Sequence, residues 1–187
     1  TGCVDCPGGR HQARVGAGAC AACAKGRFQP RAGSTAPCAA CTAGQYADRP
    51  AQPACKGTRC PAGTSGYEGL ADRNSVACYD CFSGQYTDQA GQTDCVGRIC
   101  EMGKYGAWGQ AAANTCNECL PGQHQNEAGQ ERCKGTACAA GKYSSAGAAQ
   151  TTANDCAACR PGQYTSTQGQ AKCKGLPCHP GQHAPAG

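Results

Sequence analysis

At 187 residues the chain has length for one domain or two small ones, but Leu, Ile, Val, Phe and Met together number only 11. The 40% hydrophobic content is mostly Ala and Cys, so a conventional hydrophobic core is excluded: there is too little bulky apolar surface to offset the entropy of ordering the chain. The formal charge of +5 is spread along the chain with no contiguous block of basic residues, which reads as lysines solvated beside turns and excludes a nucleic-acid footprint.

Without its cysteines this composition would belong to a disordered chain. There are 20 of them, an even number at a density found in disulfide scaffolds made in oxidising compartments. Closing a loop of about 15 residues contributes roughly 3 kcal/mol in the chain-entropy model. A series of such loops replaces a core. An extracellular or cell-surface location follows. No apolar run approaches a membrane span, so no membrane contact is expected within these residues. No signal peptide is present. A secreted disulfide protein needs one, so residues 1–187 are expected to be a mature or excised segment of a longer chain.

Taken in order, the chain repeats one opening, Cys-x-x-Gly, ten times. The openings begin at Cys6, Cys23, Cys41, Cys60, Cys81, Cys100, Cys119, Cys138, Cys159 and Cys178. Most continue with a polar residue and an aromatic: Phe28, Tyr46, Tyr86, Tyr105, Tyr143 or Tyr164, with His11, His124 and His183 in the same place. From Cys38 onward a longer period appears, marked by Cys78, Cys116 and Cys156 at steps of 40, 38 and 40 residues. The predicted organisation is two short-linker modules over 1–37, then repeats over 38–77, 78–115 and 116–155, and a truncated repeat over 156–187. Linkers between loops alternate from Cys38 between two residues, as in Cys78-Tyr-Asp-Cys81, and four, as in Cys95-Val-Gly-Arg-Ile-Cys100.

Each part of the opening has a local reading. The glycine permits a positive φ or a close backbone approach beside the disulfide. The aromatic is the largest apolar group on offer and is expected to lie over the disulfide as a miniature core. Ala90-Gly91-Gln92 and Ala128-Gly129-Gln130 are turns that bring the chain back. No stretch shows sustained helical periodicity with caps. The predicted fold class is small disulfide-rich repeats: an elongated rod of short β-hairpin and loop modules, with almost no helix and no conventional hydrophobic core.

Two disulfide connectivities fit the spacing. In a serial scheme each loop closes on itself: Cys6–Cys20, Cys23–Cys38, Cys41–Cys55, Cys60–Cys78, Cys81–Cys95, Cys100–Cys116, Cys119–Cys133, Cys138–Cys156 and Cys159–Cys173. Cys3 and Cys178 then remain for cysteines outside the segment. In an interlocked scheme quartets pair first to third and second to fourth, as Cys78–Cys95 with Cys81–Cys100, and all 20 are used internally. The serial scheme treats every opening alike and accounts for the incomplete last loop.

Cys-x-x-Gly-x-[Tyr/Phe], a turn, then Cys-x-x-Cys resembles the modules of tumour-necrosis-factor-receptor cysteine-rich domains. It is closer still to the repeats shared by ephrin receptors (the GCC2/GCC3 type) and by protist and algal surface proteins, including flagellar hair (mastigoneme) proteins. The resemblance runs through the whole chain. It implies an extracellular stack of modules, and the self-closed loop of the receptor modules supports serial pairing. It does not imply a particular ligand.

Other chemistries weigh less. Cys3, Cys6, Cys20 and Cys23 have the C-x2-C-x13-C-x2-C spacing of a zinc module. Later quartets change the last gap and keep the Gly-aromatic signature, so disulfides are preferred and no metal or cofactor is expected. No Ser/His/Asp or paired-carboxylate constellation stands out, so an enzyme is not expected. Trp108, the only tryptophan, is expected to cover its own loop. No standard N-glycosylation sequon exists. Ser34, Thr35, Ser144, Ser145, Thr151, Thr152, Thr165, Ser166 and Thr167 are candidate O-glycan carriers on loop faces. The functional expectation is a structural, non-catalytic block of an extracellular filament, flagellar hair or stalk. Its expected partners are copies of itself or other extracellular proteins. The alternative is the ligand-binding ectodomain of a tumour-necrosis-factor-receptor-like or ephrin-receptor-like protein. Receptor loops would diverge at contact sites, and these stay similar.

Overall fold

The computed structural model describes residues 2–113 and 115–182. Among them are twelve strands of two or three residues and one 3-10 turn, Arg73–Ser75. Asp72 caps that turn, its carboxylate accepting from the Asn74 N–H. Nine disulfides close nine successive loops, in order Cys6–Cys20, Cys23–Cys38, Cys41–Cys55, Cys60–Cys78, Cys81–Cys95, Cys100–Cys116, Cys119–Cys133, Cys138–Cys156 and Cys159–Cys173. They are numbered loops 1 to 9 below. Cys3 is exposed and Cys178 half-buried, and both are unpaired. The fold is therefore a set of small disulfide-rich hairpin repeats.

The strands pair in six antiparallel two-stranded ribbons. In most, the residues after the opening glycine pair with the linker after the closing cysteine. Strand β1 (Arg10–His11) pairs with β2 (Ala21–Ala22), and β3 (Arg27–Phe28) with β4 (Ala39–Ala40). Further on, β5 (Thr64–Gly66) pairs with β6 (Cys78–Asp80), and β7 (Gln85–Tyr86) with β8 (Val96–Gly97). The last two ribbons join β9 (Lys104–Tyr105) to β10 (Asn117–Glu118) and β11 (Lys142–Tyr143) to β12 (Ala157–Ala158). In loops 3, 7 and 9 the corresponding pairing is a single bridge, at Tyr46–Lys56, His124–Lys134 and Tyr164–Lys174, whereas the same four-residue linker after loop 5 carries β8. Thus His11 and His124 take the backbone place of Phe28 and the tyrosines. His183 lies outside the described residues.

The chain divides into two compact units. One comprises 1–81, 86–96 and 109–112, the other 82–85, 97–108 and 113–187. In each, the buried apolar set is almost wholly cysteine: Cys23, Cys41, Cys60 and Cys81 in the first, and Cys100, Cys119 and Cys138 in the second, are at most 1% exposed. Here one expectation is corrected. The tyrosines are not the miniature core, since Tyr46, Tyr86, Tyr105 and Tyr143 are only half-buried and Tyr164 is exposed. The buried side chain is the next residue: Gln29, Ala47, Thr87, Gln125, Ser144 or Thr165. The physical reason is space. Beside a disulfide pressed between neighbouring loops there is room for a small or hydrogen-bonded group and not for a ring.

Trp108 is a second correction. Its indole N–H donates to the Gly129 carbonyl in loop 7, 2.6 Å away. Its ring meets Phe82 of loop 5 edge-on, with centroids 5.8 Å apart. It bridges neighbouring loops and does not merely cover its own.

Candidate functional site

With so little core, what joins one loop to the next decides whether the chain has a structure at all. That joint is built from main-chain groups. In the first unit the carbonyls of Cys6, Cys23, Cys41, Cys60 and Cys81 accept from the N–H groups of Gly33, Ala51, Gly69, Gly91 and Gly109. In the second, the carbonyls of Cys100, Cys119 and Cys138 accept from Gly129, Ala149 and Gly169. Each donor is the turn residue of the following loop, and the distances span 2.7 to 2.9 Å.

A second bond accompanies each of these. The residue after the aromatic position (Gly66 after Ser65 in loop 4) donates its N–H to the carbonyl just past the turn residue of the next loop. The pairs are Gln12 to Ser34, Gln29 to Gln52, Ala47 to Leu70, Gly66 to Gln92 and Thr87 to Gln110. In the second unit they are Gly106 to Gln130, Gln125 to Gln150 and Ser144 to Gln170. No loop from 1 to 8 lacks this two-bond clasp. The Ala90-Gly91-Gln92 type of turn therefore does more than reverse its own loop. It is the docking element that the preceding loop grips. The signal was present in the sequence as a Gly-Gln or Ala-Gln pair at six of the eight turns, with Gly33-Ser34 and Gly69-Leu70 at the other two, but its partner lies in another loop and local reasoning does not reach it.

Linker length selects between two forms of the joint. Across a two-residue linker, the next opening cysteine donates its N–H to the glycine of the preceding opening, as Cys23 to Gly9 and Cys81 to Gly63. Across a four-residue linker it donates to the residue before that glycine, as Cys60 to Ala43 and Cys100 to Ser83. The register slips by one residue to absorb the longer connection.

Buried side chains complete the joints. Thr87 Oγ1 accepts from the Gly63 N–H at 2.8 Å and donates to the Thr64 carbonyl at 3.2 Å. Thr165 Oγ1 does the same for the Gly141 N–H and the Lys142 carbonyl, at 2.7 and 3.2 Å. Gln12, Gln29 and Gln125 instead brace their own loops, each amide NH2 reaching a carbonyl seven residues on. At loop 1, His11 Nδ1 lies 3.4 Å from Cys38 Sγ of the next disulfide. Ser144 and Thr165 are thus 2% and 5% exposed, with hydroxyls committed inside the joint. They do not offer the loop faces expected of glycan carriers. Thr35, Ser145, Thr151, Thr152, Ser166 and Thr167 are exposed, and Ser34 is half-buried.

The turn position places its residue at positive φ. Six of the eight are glycine, and the other two are Ala51 at φ 59° and Ala149 at φ 56°. These are the only described non-glycine residues in that region. An alanine there pays about 1 to 2 kcal/mol against a right-handed conformation, and the joint holds it regardless. Relieving that strain predicts that Ala149→Gly stabilises the chain by about 0.5 to 1 kcal/mol, net of the added freedom of the unfolded state. Urea titration of the oxidised protein checks this. A loss of stability would show that the joint does not impose the turn.

Lys56 Nζ sits 2.9 Å from both carboxylate oxygens of Asp48. That hydrogen bond, the largest influence, holds the Asp48 carboxyl below its ordinary 3.8, with desolvation acting the other way and the Lys56 charge adding to the lowering. A folded-state value below the unfolded one means stability that is present above the ordinary carboxylate range and lost as pH falls through the folded value. Both groups are solvent-exposed, so the contribution is small. NMR titration of Asp48 is expected to give a midpoint below 3.8, moving upward in Lys56→Met. An unchanged midpoint would rule out the pair in solution.

Among the described residues no group of three or more His, Cys, Asp or Glu is placed to hold a metal ion. Among the described residues no helix is long and apolar enough to cross a membrane. Residues 1–37 match the model of the family described as tyrosine-protein kinase ephrin type A/B receptor-like. The match is to a cysteine-rich, non-catalytic extracellular module type. No curated protein matches the chain. A cysteine-rich ephrin-receptor-like module, continued by disulfide loops built on the same joint, is a construction of the extracellular or cell-surface kind.

Proposed function

We propose that the chain is a structural, non-catalytic building block of an extracellular filament, flagellar hair or cell-surface stalk, assembling with copies of itself. The observation that carries this reading is the clasp. Every loop from 1 to 8 spends its most buried groups on gripping the next loop through main-chain atoms, in the same way each time. Such nearest-neighbour construction suits a repeat material, whose length is set by the number of units and whose stability is a sum over joints. In this proposal Cys3 and Cys178 pair with cysteines outside residues 1–187, and the exposed hydroxyls of Thr35, Ser145, Thr151, Thr152, Ser166 and Thr167 carry O-glycans.

One observation favours a second reading. The family matched over residues 1–37 is named for receptors, which fits the ectodomain of a cell-surface receptor holding a protein ligand on its loops. Electron microscopy of native material separates the two. Fibres with an axial repeat are the expected result. Dispersed monomers that capture a protein ligand would replace the structural reading with the receptor one.

A further inference from the structure

Loops 1 to 3 share a feature that no later loop has. The third residue past the aromatic position is Arg14 in loop 1, Arg31 in loop 2 and Arg49 in loop 3. In loops 4 to 9 the same place holds Glu68, Gln89, Trp108, Glu127, Ala146 and Thr167. All three arginines are exposed, and all lie in the first compact unit. Among the described residues their guanidinium groups make no ion pair and no hydrogen bond. Residues 1–60 hold only two carboxylates to oppose them. Of these, Asp48 is taken by Lys56, and Asp5 sits against Gly33.

The backbone fixes where these side chains start. The Arg14 N–H donates to Gln12 Oε1 at 2.9 Å and the Arg31 N–H to Gln29 Oε1 at 3.4 Å. The same two glutamines donate to the Ala19 and Ala36 carbonyls, so the two turns are built alike. The Arg49 N–H donates to Gln52 Oε1 at 3.2 Å. The clasps then tie these segments together. Gln12 holds Ser34, Gln29 holds Gln52 and Ala47 holds Leu70, so each arginine sits two residues past a main-chain bond to the next loop. The result is a row of guanidinium groups, one per loop. Loop 7 shows that the turn does not need them. Its Glu127 N–H donates to Gln125 Oε1 at 3.1 Å in the same brace, yet a carboxylate stands there and pairs with Lys134. The turn folds with either sign of charge, and folding does not account for the three arginines.

Like charges on successive loops repel one another unless screened. The row gains when an anion whose charge repeats lies along it. Guanidinium is the side chain whose planar fork meets an oxyanion with two N–H groups at once. We infer that Arg14, Arg31 and Arg49 form a binding row for an acidic polysaccharide, a chain polymer whose sulfate or carboxylate groups recur along its length. Residues 2–60 have no exposed aromatic ring, since Phe28 and Tyr46 are half-buried. The stacking platforms that single-stranded nucleic acid uses are therefore missing. Such a row gives the chain a non-covalent hold on extracellular polyanions, and it does so equally for a filament, a stalk or an ectodomain. The inference does not rest on self-assembly.

The test titrates the oxidised chain with heparin, which is sulfated, and with polygalacturonate, which carries carboxylates alone. One variant combines Arg14→Gln, Arg31→Gln and Arg49→Gln, which leaves the backbone N–H bonds of the row in place. The other combines Arg132→Gln, Lys142→Gln and Lys172→Gln, exposed cations of the second unit, and removes the same charge. An unchanged disulfide map certifies each variant as folded. The native chain is expected to bind at least one of the two polymers at about 0.05 M salt, and the preferred polymer identifies the oxyanion. The row variant is expected to bind at least about tenfold more weakly. Its slope of log affinity against log salt is expected to fall by about 2, since each ionic contact to a single-stranded polyanion contributes about 0.7. The control variant is expected to stay within about twofold of the native chain. Equal weakening of the two variants would reduce the binding to net charge and overturn the inference, as would binding of neither polymer. Single-stranded DNA bound more tightly than both polysaccharides, and released by the row variant, would assign the row to nucleic acid and overturn it too.

Discussion

Gly63→Ala is expected to prevent loop 4 from forming its native joint, at a cost above about 4 kcal/mol, a size reserved for few kinds of substitution. Gly63 has φ +87°, and a Cβ built on it would lie 2.1 Å from the carbonyl oxygen of Gly109 and 2.7 Å from its carbonyl carbon. Both neighbours are backbone, and Gly109 is itself the clasp donor to Cys81. No rotamer change makes room. The Gly63 N–H is held by Thr87 and its carbonyl receives Cys81, so the residue cannot move aside either. Gly147→Ala is the control. Gly147 has φ +78° with nothing within 4 Å of the added carbon, so the change is expected to cost only the intrinsic left-handed penalty of about 1 to 2 kcal/mol. Urea titration and the yield of correctly oxidised protein check both. Equal effects would mean that conformation alone matters at Gly63 and that the loops do not pack as described.

Removing the Cys119–Cys133 disulfide by the double change to alanine is expected to cost about 3 kcal/mol, since it frees a loop closed over a separation of 14 residues. Alanine suits the site because Cys119 is fully buried and a serine hydroxyl there would need a partner. The effect should spread along the chain in a particular way. Loop 7 receives the clasp of loop 6, through Gly129 on Cys100 and Gln130 on Gly106. It grips loop 8 in turn, through Cys119 on Ala149 and Gln125 on Gln150. Hydrogen exchange is expected to speed by about a hundredfold at the amides of Gly106, Gly129 and Ala149, with little change in loops 1 to 3. Loss of protection confined to loop 7 would show that the clasps contribute nothing. Uniform loss throughout would show one cooperative core in place of a series.

Much of the fold was legible because cysteine spacing is nearly periodic and glycine recurs at a fixed offset from each opening cysteine. Those two facts predict short ribbons, no helix of consequence and a chain held by covalent loops. Connectivity was not legible from spacing alone, because Cys81 is followed by both Cys95 and Cys100 at distances a disulfide loop can close. The core was misplaced for a related reason. Hydrophobicity ranks Tyr46 or Tyr164 above Ala47 or Thr165, yet burial beside a disulfide is decided by room and by hydrogen-bond partners, and both come from the next loop. The clasp was hidden for the same cause: its donors are backbone groups, and the sequence shows only that Gly-Gln or Ala-Gln recurs. Ala51 and Ala149 make the point most clearly. As sequence they break a glycine pattern, and only the joint reveals that they adopt the glycine's conformation.

The central claim is that each loop closes on itself and docks on the next. It is tested most directly by peptide mapping of a non-reduced digest of the oxidised protein. Cys81 linked to Cys95 and Cys100 linked to Cys116, with the same serial order along the chain, is the expected map. A Cys81–Cys100 or Cys78–Cys95 cross-link would contradict it.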